Sequence, residues 1–215
     1  QTEPVRLVME ACGTSHYWGR TAQSLGHEVK LLHAKYVKAY VRRTKTDSAD
    51  ADALILADND KSLHPIPVKP EELQALQGLH KIREQWKRAR VARICEARAL
   101  LAEFDISTPA GVRGIGRKLT LVTEQVPVLL QPTLLDLIRE IGELERRLKC
   151  VDQALAAYAN TNPDVQVLLG IQGIGITIAT AFVARVSSIH SLAPTYPWDT
   201  YLSSPAHHHT SSYLR

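Results

Sequence analysis

Residues 5–33 have the sequence VRLVMEACGTSHYWGRTAQSLGHEVKLLH, and this stretch decides the fold of the amino-terminal part of the chain. It begins with a short apolar run that ends at Glu10 and the turn residue Gly13. We expect a buried strand there, then a helix from about Ser15 to Leu25 closed by Gly26, and then a second strand. A strand, a helix and a strand in this order form a βαβ unit, which predicts a parallel sheet.

Two further helices and a connector are predicted after the βαβ unit. The segment from Thr46 to about Ala57 is predicted to be a helix, with Thr46 or Asp47 at its N-cap. The proline-rich segment His64–Pro70 is predicted to be a stiff linker and a domain boundary. Residues 71–104 contain no proline and no strand-like alternation, so we expect one long basic helix there.

An apolar heptad pattern follows the predicted basic helix. Its members are separated by alternating steps of three and four residues: Leu134, Leu137, Ile141, Leu144, Leu148, Val151, Leu155 and Tyr158. The pattern predicts a coiled coil or a helical hairpin, although the core stripe of an ordinary helical bundle has a similar spacing. The seam would be covered by the basic helix of the same chain, by the same helix of another chain, or by both.

Positive charge is concentrated in two segments of the 215-residue chain, whose net charge is +4. The first segment contains Lys35, Lys38, Arg42, Arg43 and Lys45, and the second contains Lys81, Arg83, Lys87, Arg88, Arg90, Arg93 and Arg98. Such patches suit DNA or RNA, and the alternative for each is a solvated helix face. The candidate nucleic-acid-binding residues from these segments are Lys38, Arg42, Arg43, Lys45, Arg83, Lys87 and Arg90.

Cysteine usage and hydropathy exclude several classes of protein. The three cysteines are far apart and form no CxxC motif, so neither a disulfide framework nor a thiolate zinc site is expected. No apolar run approaches the ~18 residues of a membrane span, and no signal peptide is visible. We therefore expect a cytoplasmic protein with no membrane partner.

Three acidic residues are candidates for metal-dependent chemistry. Glu10 ends the first predicted strand, where open α/β sheets place functional groups. Asp47 and Asp50 are three residues apart on a predicted helix, so their carboxylates lie on one face. Hard oxygen ligands suit Mg²⁺ or Mn²⁺, and two such ions can promote phosphodiester cleavage. The spacing by itself favours the simpler alternative, in which Asp47 is an N-cap and Asp50 a solvated neighbour.

Four sequence blocks occur in the order found in one family of enzymes. They are Val8-Met-Glu-Ala-Cys-Gly13, Gly26-His-Glu-Val29, Tyr36-Val-Lys38 and Lys45-Thr-Asp-Ser-Ala-Asp-Ala-Asp-Ala53. Together they resemble the catalytic half of the insertion-sequence transposases of the IS110 and IS1111 families, and the resemblance extends to about Val186. It implies a RuvC-like, RNase H-type fold with a DEDD set of four acids. Glu10 matches the family's Glu, and Asp47 and Asp50 match its last two Asp residues.

The same resemblance implies cofactors and partners, and it has two gaps. It implies Mg²⁺ (or Mn²⁺), DNA, and a guide RNA of the same element. The family's first Asp lies on a strand earlier than any present, and its catalytic serine belongs to a Gly- and Ser-rich block. Residues 187–215 stand in the place of that block and are rich in serine, which predicts an irregular tail produced by a frameshift or by divergence. We therefore expect an incomplete copy, truncated at both ends and inactive in recombination.

A glycine-rich motif is a second candidate DNA-binding feature. Gly170-Ile-Gln-Gly-Ile-Gly175 precedes a predicted helix over about 177–186 and resembles the hairpin of a helix-hairpin-helix module. Gly170, Gly173 and Gly175 would let the backbone approach a phosphate, which the N–H groups at the next helix start would bind. The alternative is a tight turn between two packed helices.

The sequence as a whole predicts an α/β plus α protein. A partial RuvC-like DEDD domain would occupy residues 1–62, a basic helical and coiled-coil region 63–160, a helix-hairpin-helix-like module 161–186, and the tail 187–215. The predicted function is that of an insertion-sequence transposase that binds, cleaves and rejoins DNA, with protomers associating as a homo-oligomer through the coiled coil. Two alternatives are a RuvC-like junction nuclease and a non-catalytic nucleic-acid-binding or dimerising remnant.

Overall fold

A computed structural model describes residues 3–41, 46–108 and 115–186 of the chain. These residues are mostly helical and include one small parallel sheet, which confirms the α/β plus α prediction at that level. The chain divides into two compact units, residues 1–75 and residues 76–215. The tail predicted at residues 187–215 lies outside the described residues.

The first unit contains the predicted βαβ arrangement. Strand β1 spans Arg6–Glu10, helix α1 spans Ser15–Ser24 and strand β2 spans Glu28–Leu32. The two strands pair in parallel, as predicted. Gly26 has a φ of +88°, a left-handed conformation that glycine adopts without steric cost, and it stands at the end of α1 as the sequence indicates.

Short helices follow β2. Helix α2 spans Ala34–Val37, a 3-10 turn spans Lys38–Tyr40, and helix α3 spans Asp47–Asn59. The sequence predicts α3 but only a basic connector where α2 lies. The His33 Nδ1 accepts a hydrogen bond from the Lys35 N–H at 3.1 Å and caps α2. A cap of this kind, rather than helix propensity, explains a helix of only four residues.

Helix α3 packs on the strands through two alanines. Ala53 and Ala57 lie one turn apart and are fully buried in a cluster with Leu32 and Val37. Val8 of β1 packs against the same cluster. Because both residues are small, the backbone of α3 can come close to its neighbours. Their burial also fixes which face of α3 is turned towards β1.

The proline-rich segment packs against the first unit. The Ile66 N–H donates a hydrogen bond to the Leu31 carbonyl at 2.8 Å, in an antiparallel bridge beside β2. Val68 lies against Gly19 of α1. Composition predicts the stiffness of this segment but not these contacts, which depend on residues about 35 to 50 positions away.

Substituting Gly19 with alanine is expected to lower the stability of the first unit. A Cβ at this position would lie 2.9 Å from the Val68 Cγ2 and 3.1 Å from its Cγ1. Overpacking costs about 1–3 kcal/mol, which exceeds the ~1 kcal/mol that alanine gains over glycine inside a helix. Gly78 of the next helix is the matched control, because a Cβ there would meet nothing within 4 Å. Urea denaturation should show a lower midpoint for Gly19→Ala and a higher one for Gly78→Ala; a gain for both would contradict the packing.

The second unit is built on two long helices with shorter ones around them. The helices are α4 (Glu71–Ala102, beginning in the first unit), α5 (Ile115–Val122), α6 (Gln131–Thr161), α7 (Pro163–Leu169) and α8 (Ile176–Val186). Helices α4, α6 and α8 agree with the sequence prediction. Helix α5 was not predicted, because it is too short to show a clear apolar period. Helix α7 lies where the predicted helix-hairpin-helix-like module has its first helix.

Helices α4 and α6 run antiparallel. The Arg83 Nε lies 2.6 Å from the Asp152 Oδ1, and the Arg93 Nε lies 2.9 Å from the Glu140 Oε2. Between these two ion pairs, the Arg147 guanidinium carbon lies 5.8 Å from the centre of the Trp86 ring. Higher residue numbers on α4 therefore face lower residue numbers on α6, which is the arrangement of a helical hairpin.

The heptad seam of α6 is buried inside the second unit. Leu134 and Ile141 are fully buried in a cluster with Ile94 and Leu101 of α4 and Leu119 of α5. Over this part of the seam, the structure selects the basic helix of the same chain as the covering partner. No helix in the described ranges combines the length and the apolar character needed to span a bilayer.

Candidate nucleic-acid and metal site

A cavity of about 230 Å³ opens in the first unit, at the end of the two strands. Its charged lining consists of two acids and one base, Glu10, Asp50 and Lys38. The rest of the lining is apolar and comes from Ala34, Val37, Val41 and Leu54. The cavity therefore places two carboxylates and one ammonium group around a space large enough for a phosphate and ordered water.

The strand ends position Glu10. It is the last residue of β1 and lies opposite Leu32, the last residue of β2. The Ala11 N–H donates to the Leu32 carbonyl at 2.8 Å, so the hydrogen-bonded ladder continues one residue beyond Glu10. Because carboxyl ends of parallel strands meet at one edge of a sheet, Glu10 stands where the sequence expects a functional group.

The first turn of α3 positions Asp50. The Thr46 Oγ1 accepts a hydrogen bond from the Ala49 N–H at 3.2 Å, so Thr46 is the N-cap. Asp47 is therefore not the capping residue; it is the exposed first residue of α3. Asp50 follows one turn later and lines the cavity, whereas Asp47 is absent from the lining.

The structure thus brings two of the three predicted acids, Glu10 and Asp50, to one cavity. Among residues 3–41, 46–108 and 115–186, no three side chains of His, Cys, Asp or Glu are grouped closely enough to hold a metal ion. A divalent ion bound at the cavity would therefore need water or substrate oxygens for most of its ligands, in addition to the Glu10 and Asp50 carboxylates.

Two other acids of the first unit, Asp58 and Asp60, are paired within the fold. The Lys30 ammonium lies 2.6 Å from the Asp58 Oδ1 and lowers the pKa of that carboxyl. Asp60 accepts hydrogen bonds from Ser62 and, at 2.5 Å, from the Tyr40 hydroxyl, and these bonds lower its pKa to about 2. These carboxylates hold α3 and the turn after α2 in place.

The charged groups of the cavity have no such partners. Within the described part of the chain, the side chains of Glu10, Lys38 and Asp50 form no hydrogen bond and no ion pair. Charged side chains that share a cavity without pairing remain available to an external cation and an external anion. This property separates Glu10 and Asp50 from Asp58 and Asp60.

Some of the basic candidate residues already form ion pairs with acids of the fold, and others do not. Arg83 pairs with Asp152, and the Lys87 Nζ lies 3.8 Å from the Glu84 Oε2. The Arg90 Nε is buried and has no hydrogen-bond partner among the described residues. Part of the positive charge that composition assigns to α4 is therefore neutralised within the fold. The other basic candidates, Arg42, Arg43 and Lys45, lie outside the described residues.

The glycine-rich motif forms a turn between α7 and α8. Gly173 has a φ of +91°, and a Cβ on Gly170 would lie 3.3 Å from the Val167 carbonyl oxygen. The Gly175 carbonyl accepts hydrogen bonds from Ile178 and Ala179 at 3.0 Å and begins α8. Gly173 and Gly175 are exposed, so the turn is open to solvent.

Sequence reasoning missed the helical wall of the cavity. Ala34 and Val37 of α2 line it, although this segment was predicted only as a basic connector. A signal was present, because His33 directly after β2 has a side chain that can cap a helix.

Comparison with known proteins identifies the family. Residues 1–105, which include the whole cavity, match a family model described as transposase, the DEDD type of IS110. The chain is also 36% identical over 189 residues to a probable family 20 transposase of Pseudomonas aeruginosa, covering 86% of the chain and 56% of that protein. It is 32% identical over 184 residues to the transposase for insertion sequence element IS1328 of Yersinia enterocolitica, covering 85% and 55%.

The chain belongs to the IS110/IS1111 transposase family. A third relative, the transposase for insertion sequence element IS1111A of Coxiella burnetii, is 31% identical over 188 residues, covering 86% of the chain and 52% of that protein. The chain spans about half the length of these curated relatives. The resemblance drawn from the four sequence blocks is thereby confirmed.

Proposed function

We propose that the cavity of the first unit is the acidic part of a metal-dependent DNA-cleaving centre of an IS110/IS1111 transposase. The observation that supports it is a pair of carboxylates, Glu10 and Asp50, which line one cavity at the strand ends and have no partner among the described residues. Asp47, one turn before Asp50 on α3, is proposed as a further ligand acting directly or through water. The parallel β1–α1–β2 unit with α3 against it supports an RNase H-type arrangement as part of the same proposal.

The chemistry of the donor set fits Mg²⁺ or Mn²⁺. Magnesium is commonly held by one or two carboxylates, with waters and substrate phosphates as the remaining ligands. Two carboxylates on rigid elements meet this requirement without a complete protein cage. When bound, such an ion would activate an attacking oxygen and stabilise a leaving oxygen at phosphorus. Lys38 lines the same cavity, and its ammonium group is proposed to bind a non-bridging oxygen of a DNA phosphate.

The remaining candidates are proposed to hold nucleic acid away from the reacting phosphate. The turn with Gly170, Gly173 and Gly175 offers exposed backbone before α8, which suits contacts to phosphate. Further phosphate contacts are proposed for Arg42, Arg43, Lys45, Lys87 and Arg90, while Arg83 is proposed to act mainly through its ion pair with Asp152. DNA and a guide RNA of the same element are the proposed partners.

Two further parts of the proposal concern the whole polypeptide. Homo-oligomers are proposed, but they would have to use a surface other than the buried part of the seam around Ile141, or exchange helices between chains. The chain is proposed to contribute to ion and DNA binding through its first unit, which carries the three positions that match family acids.

Manganese binding tests the proposal. We expect Mn²⁺, followed by the loss of its free electron paramagnetic resonance signal, to bind the wild-type chain and to be displaced by Mg²⁺. Glu10→Gln and Asp50→Asn should each weaken binding by at least about tenfold, because each removes one ligand. Asp52→Asn is the matched control, since this exposed acid lies on α3 but not on the cavity. Unchanged Mn²⁺ binding in both cavity variants would refute the proposed centre.

A further inference from the structure

Helix α8 buries a face that apolar area alone would not select. The buried residues of this helix are small or polar: Ala179, Thr180, Val183 and Ala184. The larger Ile178 and Phe182 of the same helix are 57% and 39% exposed. Because the gain from burial grows with apolar area, that effect by itself would turn Ile178 and Phe182 inward. Another contact therefore contributes to the observed rotation of α8.

That contact is a hydrogen-bonded pair between α4 and α8. The His80 Nε2 lies 3.1 Å from the Oγ1 of Thr180, a residue that is fully buried. The Thr180 hydroxyl itself donates to the Ile176 carbonyl at 2.6 Å. Since a hydroxyl has only one hydrogen, the hydrogen of the 3.1 Å contact belongs to the His80 Nε2, and the imidazole is the donor.

The pair disfavours other rotations of α8. Among the four buried residues of this helix, Thr180 alone is polar. Burial, and then the positive charge of Arg83, lower the pKa of His80, so its ring is neutral at pH 7. A buried polar group that loses its partner is not compensated by water, and rotating α8 would leave both the imidazole and the hydroxyl in that state.

The carbonyl that Thr180 binds belongs to the residue that follows the glycine turn. Ile176 is the first residue of α8 and comes directly after Gly175 of the turn 170–175. The first N–H groups of a helix have no partner within it, and here they begin with those of Ile176 and Thr177. Both residues are exposed. The rotation of α8 therefore decides the direction in which these two N–H groups point.

We propose that His80 and Thr180 are positioning residues that aim the glycine turn and the start of α8 at a backbone phosphate of nucleic acid. The inference rests on the proposed function of that turn as a phosphate contact. Backbone N–H groups bind a phosphate oxygen well only when they point towards it. Because Thr180 is fully buried, the pair acts through Ile176 and the fixed rotation of α8 rather than by touching the phosphate.

The test measures binding of the full chain to two probes in EDTA at about 0.15 M salt. One probe is a duplex DNA of about 20 base pairs, and the other is an RNA hairpin of similar length. Thr180→Val removes the hydroxyl and His80→Leu removes the donor, and each should weaken binding of the probe that contacts the turn by about tenfold. The arm that shows this loss identifies whether the phosphate belongs to DNA or to RNA.

Conservative variants and a distant control test whether the hydrogen bond is responsible. Thr180→Ser keeps the hydroxyl and His80→Gln keeps an N–H donor, so each should retain affinity within about twofold. Thr123 is also buried and donates to a carbonyl four residues earlier, that of Leu119 at 3.0 Å, in the cluster around Ile141. Thr123→Val should leave the affinity for both probes unchanged, and a loss equal to that of Thr180→Val would overturn the proposal.

A double variant separates positioning from stability. In His80→Leu combined with Thr180→Val both partners are apolar, so urea denaturation should show a higher midpoint than either single variant has. Nucleic-acid affinity should stay about tenfold below wild type, because the bond that fixes the rotation is still missing. Recovery of affinity together with stability would overturn the proposal, since the pair would then serve stability alone.

Gly173→Ala distinguishes failure of the pair from failure of the turn. Gly173 has a φ of +91°, so an alanine there distorts the turn. Wild-type affinity of Gly173→Ala for both probes would reject the turn as a phosphate contact, and the inference with it. Lost affinity in Gly173→Ala with wild-type affinity in Thr180→Val would reject the positioning pair alone. The Mn²⁺ measurement bears only on the cavity of the first unit, so that part of the proposed function stands or falls separately.

Discussion

Replacing Ile141 with alanine is expected to lower the free energy of unfolding of the second unit by about 2–5 kcal/mol. Ile141 is fully buried in the cluster that joins α4, α5 and α6. The substitution removes buried methyl and methylene groups and leaves a cavity that the surrounding Leu and Ile side chains can fill only in part. Urea denaturation followed by far-ultraviolet circular dichroism measures the loss.

An exposed leucine nearby provides the control for Ile141. Leu129 precedes α6 and is 93% exposed, so Leu129→Ala should change the free energy of unfolding by no more than about 0.5 kcal/mol. Similar losses for Ile141→Ala and Leu129→Ala would show that the heptad seam is not buried as described, and that α4 does not cover it.

Replacing Ala53 with aspartate is expected to destabilise the first unit by about 3–5 kcal/mol. Ala53 is on α3 and is fully buried, in a cluster whose other buried members are apolar. An uncompensated carboxylate there must either lose its hydration or bind a proton at neutral pH, and both cost free energy. The same urea experiment measures the effect by tryptophan fluorescence in a background with Trp86→Phe and Trp198→Phe, so that Trp18 alone reports on the first unit.

The control for Ala53 lies two residues away on the same helix. Ala51 is exposed, so Ala51→Asp adds the same charge and should cost no more than about 0.5 kcal/mol. Ala53→Asp should also weaken Mn²⁺ binding although Glu10 and Asp50 are intact, because the packing of α3 is what brings the two acids to one cavity. Full stability of Ala53→Asp would contradict the close approach of α3 to β1.

The longer elements were predictable because their signals are local. The apolar run before Glu10, the glycine at position 26 and the threonine before Asp47 each predict a boundary of a strand or helix, and each boundary is confirmed. Helices α2 and α5 were missed because one or two turns carry too little periodicity. Such helices are held by caps and by tertiary contacts that propensity does not report.

For the charged residues of the candidate site, too, local sequence signals predicted position, whereas tertiary contacts decided which groups are paired. Glu10 and Asp50 were proposed from their places on a strand end and a helix face, and both line the cavity. Asp47 satisfies the same pattern and shares a helix face with Asp50, but it does not line the cavity, because it lies about one turn closer to the start of α3. Arg83 was counted as free positive charge, although Asp152, distant in sequence, pairs with it.

The sequence by itself determined the parallel βαβ unit, the long helices and the family, because these follow from apolar periods, turn residues and ordered motifs along the chain. Tertiary structure decided which charged groups stay unpaired. Among the described residues, it left the side chains of Glu10, Lys38 and Asp50 without a hydrogen bond or ion pair on one cavity, and it paired Asp58, Asp60 and Arg83. The physical reason is that the availability of a charge depends on what lies within a few ångströms of it, and residues from distant parts of the chain supply those neighbours.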